Sequence, residues 1–205
     1  MSERPSLLYL LGSPRNGGNT DTLAGGICRG FEAAGGTTER VALPELSIRG
    51  CSGCLACMDD REEICVLDDD MTELYQKILS ATALLLATPV YYSSPTAQMK
   101  LMIDRFFPFG DFQKTRHAKE LAGRPVGLAI CYAEADLFDS GVDHAHHILK
   151  AMAVGSGGTY AGCVHGTADK KGDIDKRPDL LEEGRAFGAK LFGMARAWQA
   201  EPREG

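Results

Sequence analysis

The chain has 205 residues, with 22 lysines and arginines against 28 aspartates and glutamates, which gives a formal charge of −6 at pH 7. This acidic balance, without any basic block, argues against a nucleic-acid partner. No apolar run approaches the roughly 18 residues of a membrane span, and no leader signals export. We therefore expect one soluble, cytoplasmic domain over residues 1–205, without a membrane or nucleic-acid partner.

Strands and helices alternate along the chain, which is the pattern of an α/β protein. The predicted strands run from Ser6 to Leu11, Thr38 to Leu43, Ala83 to Pro89, Val126 to Tyr132 and Thr159 to Val164. The predicted helices begin near Thr20, after the aspartates at 68–70, at Pro95, near Val142 and near Leu180. Right-handed crossovers favour a flavodoxin-like three-layer fold, with a five-stranded parallel sheet in the order 2-1-3-4-5 and helices on both faces.

The loop after the first strand has the composition of a phosphate site. It runs from Gly12 to Thr20 and ends at a helix N-terminus, where unpaired N–H groups and the helix dipole attract anions. It lacks the lysine of a P-loop and the G-x-G-x-x-G pattern of a dinucleotide loop. A Gly/Asn-rich turn with a helix cap is the alternative. The strand before the loop favours a monoester phosphate.

The loop after the third strand carries aromatic rings. Tyr91 and Tyr92 precede the hydroxyls of Ser93 and Ser94, at the mouth of the strand. A planar heterocycle can lie against such rings, whereas the alternative is that both tyrosines pack at the strand end. The phosphate loop lies at the neighbouring strand in the predicted order, so the pairing favours ligand binding.

Four of the seven cysteines lie close together in the sequence. They are Cys51, Cys54, Cys57 and Cys65, spaced Cys-x2-Cys-x2-Cys-x7-Cys in a cysteine-rich loop at 51–65. Two residues between cysteines let a turning backbone aim successive thiolates at one point, which suits an iron–sulfur cluster or an all-cysteine zinc site. The spacing does not choose between them. Disulfides are disfavoured, because nothing signals export.

Together these motifs resemble one family, the flavodoxin-like NAD(P)H-dependent FMN reductases, and within it the iron–sulfur flavoproteins. The resemblance runs from about Leu8 to Arg105. It is carried by Gly12-Ser13-Pro14-Arg15 with Gly18-Asn19-Thr20, the cysteine cluster, Asp68-Asp69-Asp70-Met71, Thr88-Pro89-Val90-Tyr91, and Lys100 with Asp104-Arg105. It implies FMN as the cofactor.

The resemblance also implies which residues bind. The FMN phosphate would be held by Ser13, Arg15, Asn16, Gly17, Asn19 and Thr20, and the isoalloxazine ring would contact Pro89, Val90, Tyr91, Tyr92 and Ser93. The pocket would be completed by Cys131, Tyr132, Ala133 and Glu134 after the fourth strand and by His165 and Gly166 after the fifth. In the iron–sulfur branch, Cys51, Cys54, Cys57 and Cys65 would ligate a 4Fe–4S cluster, while many relatives bind no metal.

We therefore predict an FMN-dependent oxidoreductase in which the flavin does the chemistry and no side chain is assigned as catalytic. With a cluster, electrons would pass between a ferredoxin-like carrier, the 4Fe–4S centre and FMN. Without one, NAD(P)H would reduce FMN, and a quinone or another small acceptor would reoxidise it. A non-enzymatic electron carrier or redox sensor is the alternative from a different class of protein.

Two further features concern assembly and internal support. A flavin at the edge of a sheet is open to water on one side, so we expect a homodimer or homotetramer. The phenylalanine-rich segment from Phe106 to Phe112 is the candidate contact, and a local hydrophobic cluster under this segment is the alternative. Asp104-Arg105 is expected to pair locally or to brace a neighbouring loop or subunit. Lys170 to Asp173 is expected to form a solvated turn, and its approach to a flavin edge or to the phosphate of a nicotinamide cofactor is the alternative.

Overall fold

The computed structural model describes residues 4–59, 62–110, 116–118, 120–133 and 140–201. Within these ranges the five long strands are β1 (Ser6–Leu11), β2 (Thr37–Ala42), β3 (Ala83–Tyr91), β5 (Pro125–Tyr132) and β6 (Thr159–Thr167). A two-residue strand, β4 (Ser94–Pro95), follows β3. The helices of the same ranges are α1 (Asn19–Ala33), α2 (Met71–Ser80), α3 (Ala97–Asp104), α4 (Val142–Gly155) and α5 (Pro178–Ala200).

The long strands are parallel and lie in the order β2-β1-β3-β5-β6, so the predicted sheet order is confirmed. Successive residues along each strand face opposite sides of the sheet. Leu8 and Leu84 pack with Met71 of α2 on one side, whereas Leu7 and Leu85 pack with α1 and α5 on the other. The central strands are buried on both faces, which explains their nearly continuous apolar sequences.

The hairpin of β3 and β4 was not predicted. Pro95 pairs with Val90 in an antiparallel bridge, so it closes the hairpin instead of starting α3. Thr96 is the N-cap of α3, because its hydroxyl accepts a hydrogen bond from the Met99 N–H at 3.3 Å. The expected proline start of this helix is therefore wrong by two residues.

Two other expectations need correction. The last strand, β6, continues to Thr167 because it stays paired with β5 as far as Tyr132, so His165 lies inside the strand and not after it. In the predicted aromatic contact, Phe106 and Phe109 are buried and pack edge to face with ring centroids 5.4 Å apart. These two rings belong to a local cluster. Phe112 and Glu134 lie outside the described residues.

Helices α1 and α5 approach each other so closely that their backbones nearly touch. A Cβ atom at Gly188 would lie 1.9 Å from the carbonyl oxygen of Ile27, and one at Gly30 would lie 2.0 Å from that of Arg185. Glycine is required at both positions, because the obstacle is backbone and cannot rotate away. Among the described residues, no helix combines the length and apolarity needed to span a bilayer.

This contact predicts a large cost for one added methyl group. Gly188→Ala should destabilise the protein by about 3 kcal/mol, the upper range for overpacking, since α5 must shift to relieve the clash. Gly193→Ala is the matched control on the same helix, because a Cβ there meets no described atom within 4 Å. This control should be neutral or stabilising by about 0.5–1 kcal/mol. Urea unfolding measures both, and equal midpoints for the two variants would contradict the close packing.

Candidate functional site

The loop between β1 and α1 presents groups that can bind an anion. The first backbone hydrogen bond at the start of α1 is donated by the Thr22 N–H to the Gly18 carbonyl at 2.9 Å. The N–H groups before Thr22 therefore have no partner within the helix. Ser13 and Thr20 are buried beside these groups, and Arg15 is exposed above them. A helix N-terminus, two hydroxyls and one cation thus meet at the carboxyl edge of the sheet.

A charged network holds this loop in shape. Asp21 accepts hydrogen bonds from the Gly17 N–H and from the buried Tyr9 hydroxyl, both at 3.0 Å. Arg40 donates to Asp21 at 3.0 Å and to the Asn16 side chain at 2.7 Å. Burial opposes ionisation of Asp21, but the hydrogen bonds from Arg40 and Gly17 outweigh it and hold its pKa below the ordinary value. The Asn16 side chain and the Gly17 N–H are therefore engaged in bonds that hold the loop in shape.

Asn19 fastens the loop to a distant turn. Its side-chain amide donates to the Lys170 carbonyl at 2.8 Å and accepts from the Gly172 N–H at 3.1 Å. In the turn from Lys170 to Asp173, both lysines are exposed and Gly172 and Asp173 are half-buried, and the turn is attached to the start of α1. Sequence reasoning missed this contact, because nothing local distinguishes a capping asparagine from one that binds a loop 151 residues away.

The loop from Tyr91 to Ser94, which we call the aromatic loop, is strained and open to solvent. Tyr92 and Ser93 have φ angles of 50° and 60°, in the left-handed region that residues with a Cβ rarely adopt. Two such residues form the turn between β3 and β4, and left-handed backbone costs about 1–2 kcal/mol per residue. Tyr92 is fully exposed, so half-buried packing at the strand end is wrong for this tyrosine. Tyr91 is 42% exposed at the end of β3, so it is partly covered.

A cleft of about 200 Å³ lies between the two loops. The predicted residues on its wall are Ser13, Arg15, Asn19, Thr20, Pro89, Val90, Tyr91, Cys131, Tyr132 and Ala133. Sequence reasoning gave no role to Ala168 and Asp169, which line the cleft because they follow β6 at the same edge of the sheet. His165 is connected to the cleft through Tyr132, whose hydroxyl lies 3.2 Å from the histidine Nδ1. A group of anion-binding donors and an aromatic side chain thus share one opening.

Cys131 contributes a neutral group to this cleft. Burial raises the pKa of the Cys131 thiol to about 12, so it stays protonated at neutral pH. A protonated thiol is a small, weakly polar wall residue and a poor nucleophile.

Thr96 ties the two loops together. Its side chain is fully buried, and its hydroxyl donates to the Gly12 carbonyl at 2.7 Å while it caps α3. Its own N–H donates to the Thr88 hydroxyl at 3.2 Å. The sequence signal was a threonine directly before a helix, which indicates a cap but not the second bond to Gly12.

The four clustered cysteines line one cavity of about 290 Å³. Burial raises the pKa of Cys57, and the nearby charges of the other three thiols add to the rise. The Gly53 N–H donates to the Cys51 sulfur at 3.5 Å. The number and type of donors fit a four-thiolate centre. The described residues contain no group of three or more His, Cys, Asp or Glu side chains already placed to hold a metal ion, so a bound centre requires the thiols to converge.

A buried ion pair closes the base of the cysteine loop. Arg105 donates to the Asp69 carboxylate at 2.8 Å and to the Arg49 carbonyl at 3.0 Å. Asp69 in turn accepts from the Arg49 N–H at 2.9 Å. Arg49 precedes the first clustered cysteine and Asp69 follows the last, so the three residues hold both ends of the loop. The expected bracing role of Arg105 is confirmed.

These features define a flavodoxin-like protein with a ligand cleft at the carboxyl edge of its sheet. The solved NAD(P)H:quinone oxidoreductase from Methanothermobacter marburgensis has this fold, with a TM-score of 0.68 over 92% of this chain and 98% of that chain. The two sequences are 20% identical, so the likeness concerns the fold alone.

The chain belongs to the NADPH-dependent FMN reductase family, whose model matches residues 5–165. An iron–sulfur flavoprotein of Archaeoglobus fulgidus is 34% identical over 145 residues, which cover 71% of this chain but only 62% of that protein's length. A putative NAD(P)H-dependent FMN-containing oxidoreductase of Bacillus subtilis, YwqN, is 26% identical over 80% of this chain and 85% of its own. The predicted family is confirmed.

The double role of Thr96 can be tested by an isosteric change. Thr96→Val should lower the free energy of unfolding by about 1–3 kcal/mol, because the buried Gly12 carbonyl and Met99 N–H lose their shared partner. Thr96→Ser keeps the hydroxyl and is the control. Thermal unfolding of the flavin-free proteins compares them. If valine is tolerated as well as serine, the hydroxyl does not join the loops.

Proposed function

We propose that this protein is an FMN-dependent oxidoreductase that passes electrons between a reduced donor and a small acceptor or carrier. The observation that carries this proposal is the single cleft that joins the N-terminus of α1 to the exposed Tyr91 ring. FMN has a phosphate at one end and a flat ring at the other. Membership of the FMN reductase family supports the same cofactor. Bound FMN supplies hydride and single-electron chemistry.

The residues of the cleft divide into two groups in this proposal. Ser13, Arg15 and Thr20, with the first N–H groups of α1, hold the phosphate, and Pro89, Val90 and Tyr91 contact the ring. Cys131 and Tyr132 close the far wall. Asn16, Gly17, Asn19, Tyr92, Ser93 and His165 act through the shape of the loops and walls that they support.

We propose NAD(P)H as a donor and a quinone or another small molecule as an acceptor. The family description and the name of the Bacillus subtilis relative support the nicotinamide donor. No side chain of the cleft is assigned as a catalytic acid or base, because hydride transfer to a flavin requires positioning and electrostatics from the protein.

We further propose that Cys51, Cys54, Cys57 and Cys65 bind a 4Fe–4S cluster, which would exchange electrons with a ferredoxin-like carrier. Their common cavity, their spacing and the name of the Archaeoglobus fulgidus relative support the cluster. There are two alternatives: zinc bound by the same thiolates, and a metal-free reductase.

A homodimer or homotetramer completes the proposal. The support is a group of exposed apolar side chains on the loops of the two candidate sites, namely Leu55, Met58, Val66, Tyr91 and Tyr92. Exposed apolar side chains are candidates for burial against a partner. A second copy over the loop that carries Tyr91 and Tyr92 would shield the flavin ring from water.

The phosphate assignment predicts a selective loss. Arg15→Ala should weaken FMN binding by about 1–3 kcal/mol, the scale of a charge-assisted hydrogen bond, and should hardly change riboflavin binding. Arg29→Ala is the matched control, because Arg29 is an exposed arginine near the other end of α1. Titration of flavin fluorescence with both ligands measures the difference. Equal losses for FMN and riboflavin would refute the assignment.

The proposed activity and the cluster are tested together by comparing anaerobically purified wild type with Cys54→Ala. Wild type should contain FMN, iron and acid-labile sulfide and should oxidise NADH or NADPH in the presence of an acceptor. Cys54→Ala should lose iron, sulfide and turnover with a ferredoxin-like carrier, but keep FMN, because the cleft is built from other segments of the chain.

Cys28→Ala is the control for this test, since Cys28 is buried in α1 and does not line the cysteine cavity. It should keep both cofactors. If wild type contains FMN but no iron even after reconstitution, the cluster proposal is wrong. The cluster-free NAD(P)H-dependent flavin reductase then remains as the function. Reversible flavin reduction without turnover would instead identify an electron carrier.

A further inference from the structure

One nitrogen of the buried arginine beside the cysteine cavity lacks a partner. Arg105 is 1% exposed, and its two terminal nitrogens bond Asp69 and the Arg49 carbonyl. Its Nε is buried, and no described residue accepts a hydrogen bond from it. An unsatisfied buried donor costs about 1–3 kcal/mol, and such groups in folded proteins call for an acceptor.

The cavity offers few acceptors other than sulfur. Arg105 and all four clustered cysteines line it, and Cys65 interacts electrostatically with the guanidinium. The Tyr75 hydroxyl, on the same wall, already donates to the Arg105 carbonyl at 2.6 Å. Asp104 is exposed and pairs with Lys100. Apart from the neutral Ser52 hydroxyl, the cysteine sulfurs are the side-chain acceptors that the described lining leaves for the Nε–H group.

The charge distribution favours an anionic group at this point. The Asp69 carboxylate is shared among Arg105, the Arg49 N–H and the Met71 N–H, the last at 3.1 Å. Asp69 bonds the terminal nitrogens of Arg105, so the Nε edge of the guanidinium is left for another acceptor. Four thiolates around a metal or cluster form an anionic centre, and hydrogen bonds to its sulfurs raise its reduction potential.

We propose that Arg105 donates a hydrogen bond from Nε to a sulfur atom of the four-cysteine centre and thereby raises its reduction potential. The same guanidinium fastens the two ends of the cysteine loop through Asp69 and Arg49. Arg105 is a positioning residue, because it acts on the centre through its thiolates. The inference rests on the proposed cluster, and it adds a specific donor to that site.

The first test measures the cluster potential in Arg105→Lys. Lysine keeps the positive charge near Asp69 but has no Nε–H, so the midpoint potential in an EPR-monitored redox titration should fall below that of wild type. Arg124→Lys is the matched control, because Arg124 is also buried but bonds the Ile78 and Glu120 carbonyls just before β5, at the opposite end of the sheet. Its potential should equal that of wild type. Equal potentials for Arg105→Lys and wild type would overturn the proposal.

The second test needs no substitution. In reduced wild-type protein with ¹⁵N-labelled arginine, pulsed EPR of the cluster should detect coupling to an arginine nitrogen. If Arg105→Lys folds, the coupling should vanish in it, and if it does not fold, the labelled wild type decides. A loaded cluster without arginine coupling would overturn the role of Arg105 and leave the proposed function intact. Wild type that binds FMN but neither iron nor sulfide would overturn both the cluster and the Arg105 bond.

Discussion

The parallel direction of the long strands is the constraint on which both candidate sites depend. Because β1, β3, β5 and β6 run the same way, the loops that follow them meet at one edge of the sheet. The segments brought together there are separated by up to about 150 residues in sequence, as the bond between Asn19 and Lys170 shows. The cleft therefore exists because the apolar strands below it pair in this order. The polar residues of the loops are not needed to form the sheet and can line the cleft.

Polar bonds across long sequence separations give these loops their shape. Thr96 joins the aromatic loop to the Gly12 carbonyl, Asn19 joins the loop before α1 to the turn at Lys170, and Asp69 with Arg105 closes the cysteine loop. The bonds of Thr96 and Arg105 also satisfy buried polar groups, whereas the bond between Asn19 and Lys170 is exposed. A loop held in this way loses less conformational entropy when a ligand binds, so these bonds favour affinity as well as stability.

The sequence predicts the sheet well because its central strands are apolar on both faces and its helices follow a clear period. It also predicts most residues of the cleft wall, since carboxyl ends of neighbouring strands meet in a parallel sheet, but it misses Ala168 and Asp169. It does not predict which polar groups bond each other. Asn16 carries an amide typical of a ligand loop, yet its side chain bonds Arg40 and Glu45. Pro95 is compatible with either a helix start or a hairpin, and its pairing with Val90 decides between them. Such choices depend on tertiary neighbours that the local pattern does not contain.

Helix α3 connects the two candidate sites, and its two caps carry the bonds that matter most for each. Its N-cap is Thr96, which holds the phosphate loop, and its C-cap is Arg105, which lines the cysteine cavity. Eight helical residues between the caps correspond to about 12 Å along the helix axis. The separation between the aromatic loop and the cysteine cavity is thus set by a short, capped helix and not by a mobile linker. A centre held at the Arg105 end would therefore keep a constant distance from a ligand held at the Thr96 end.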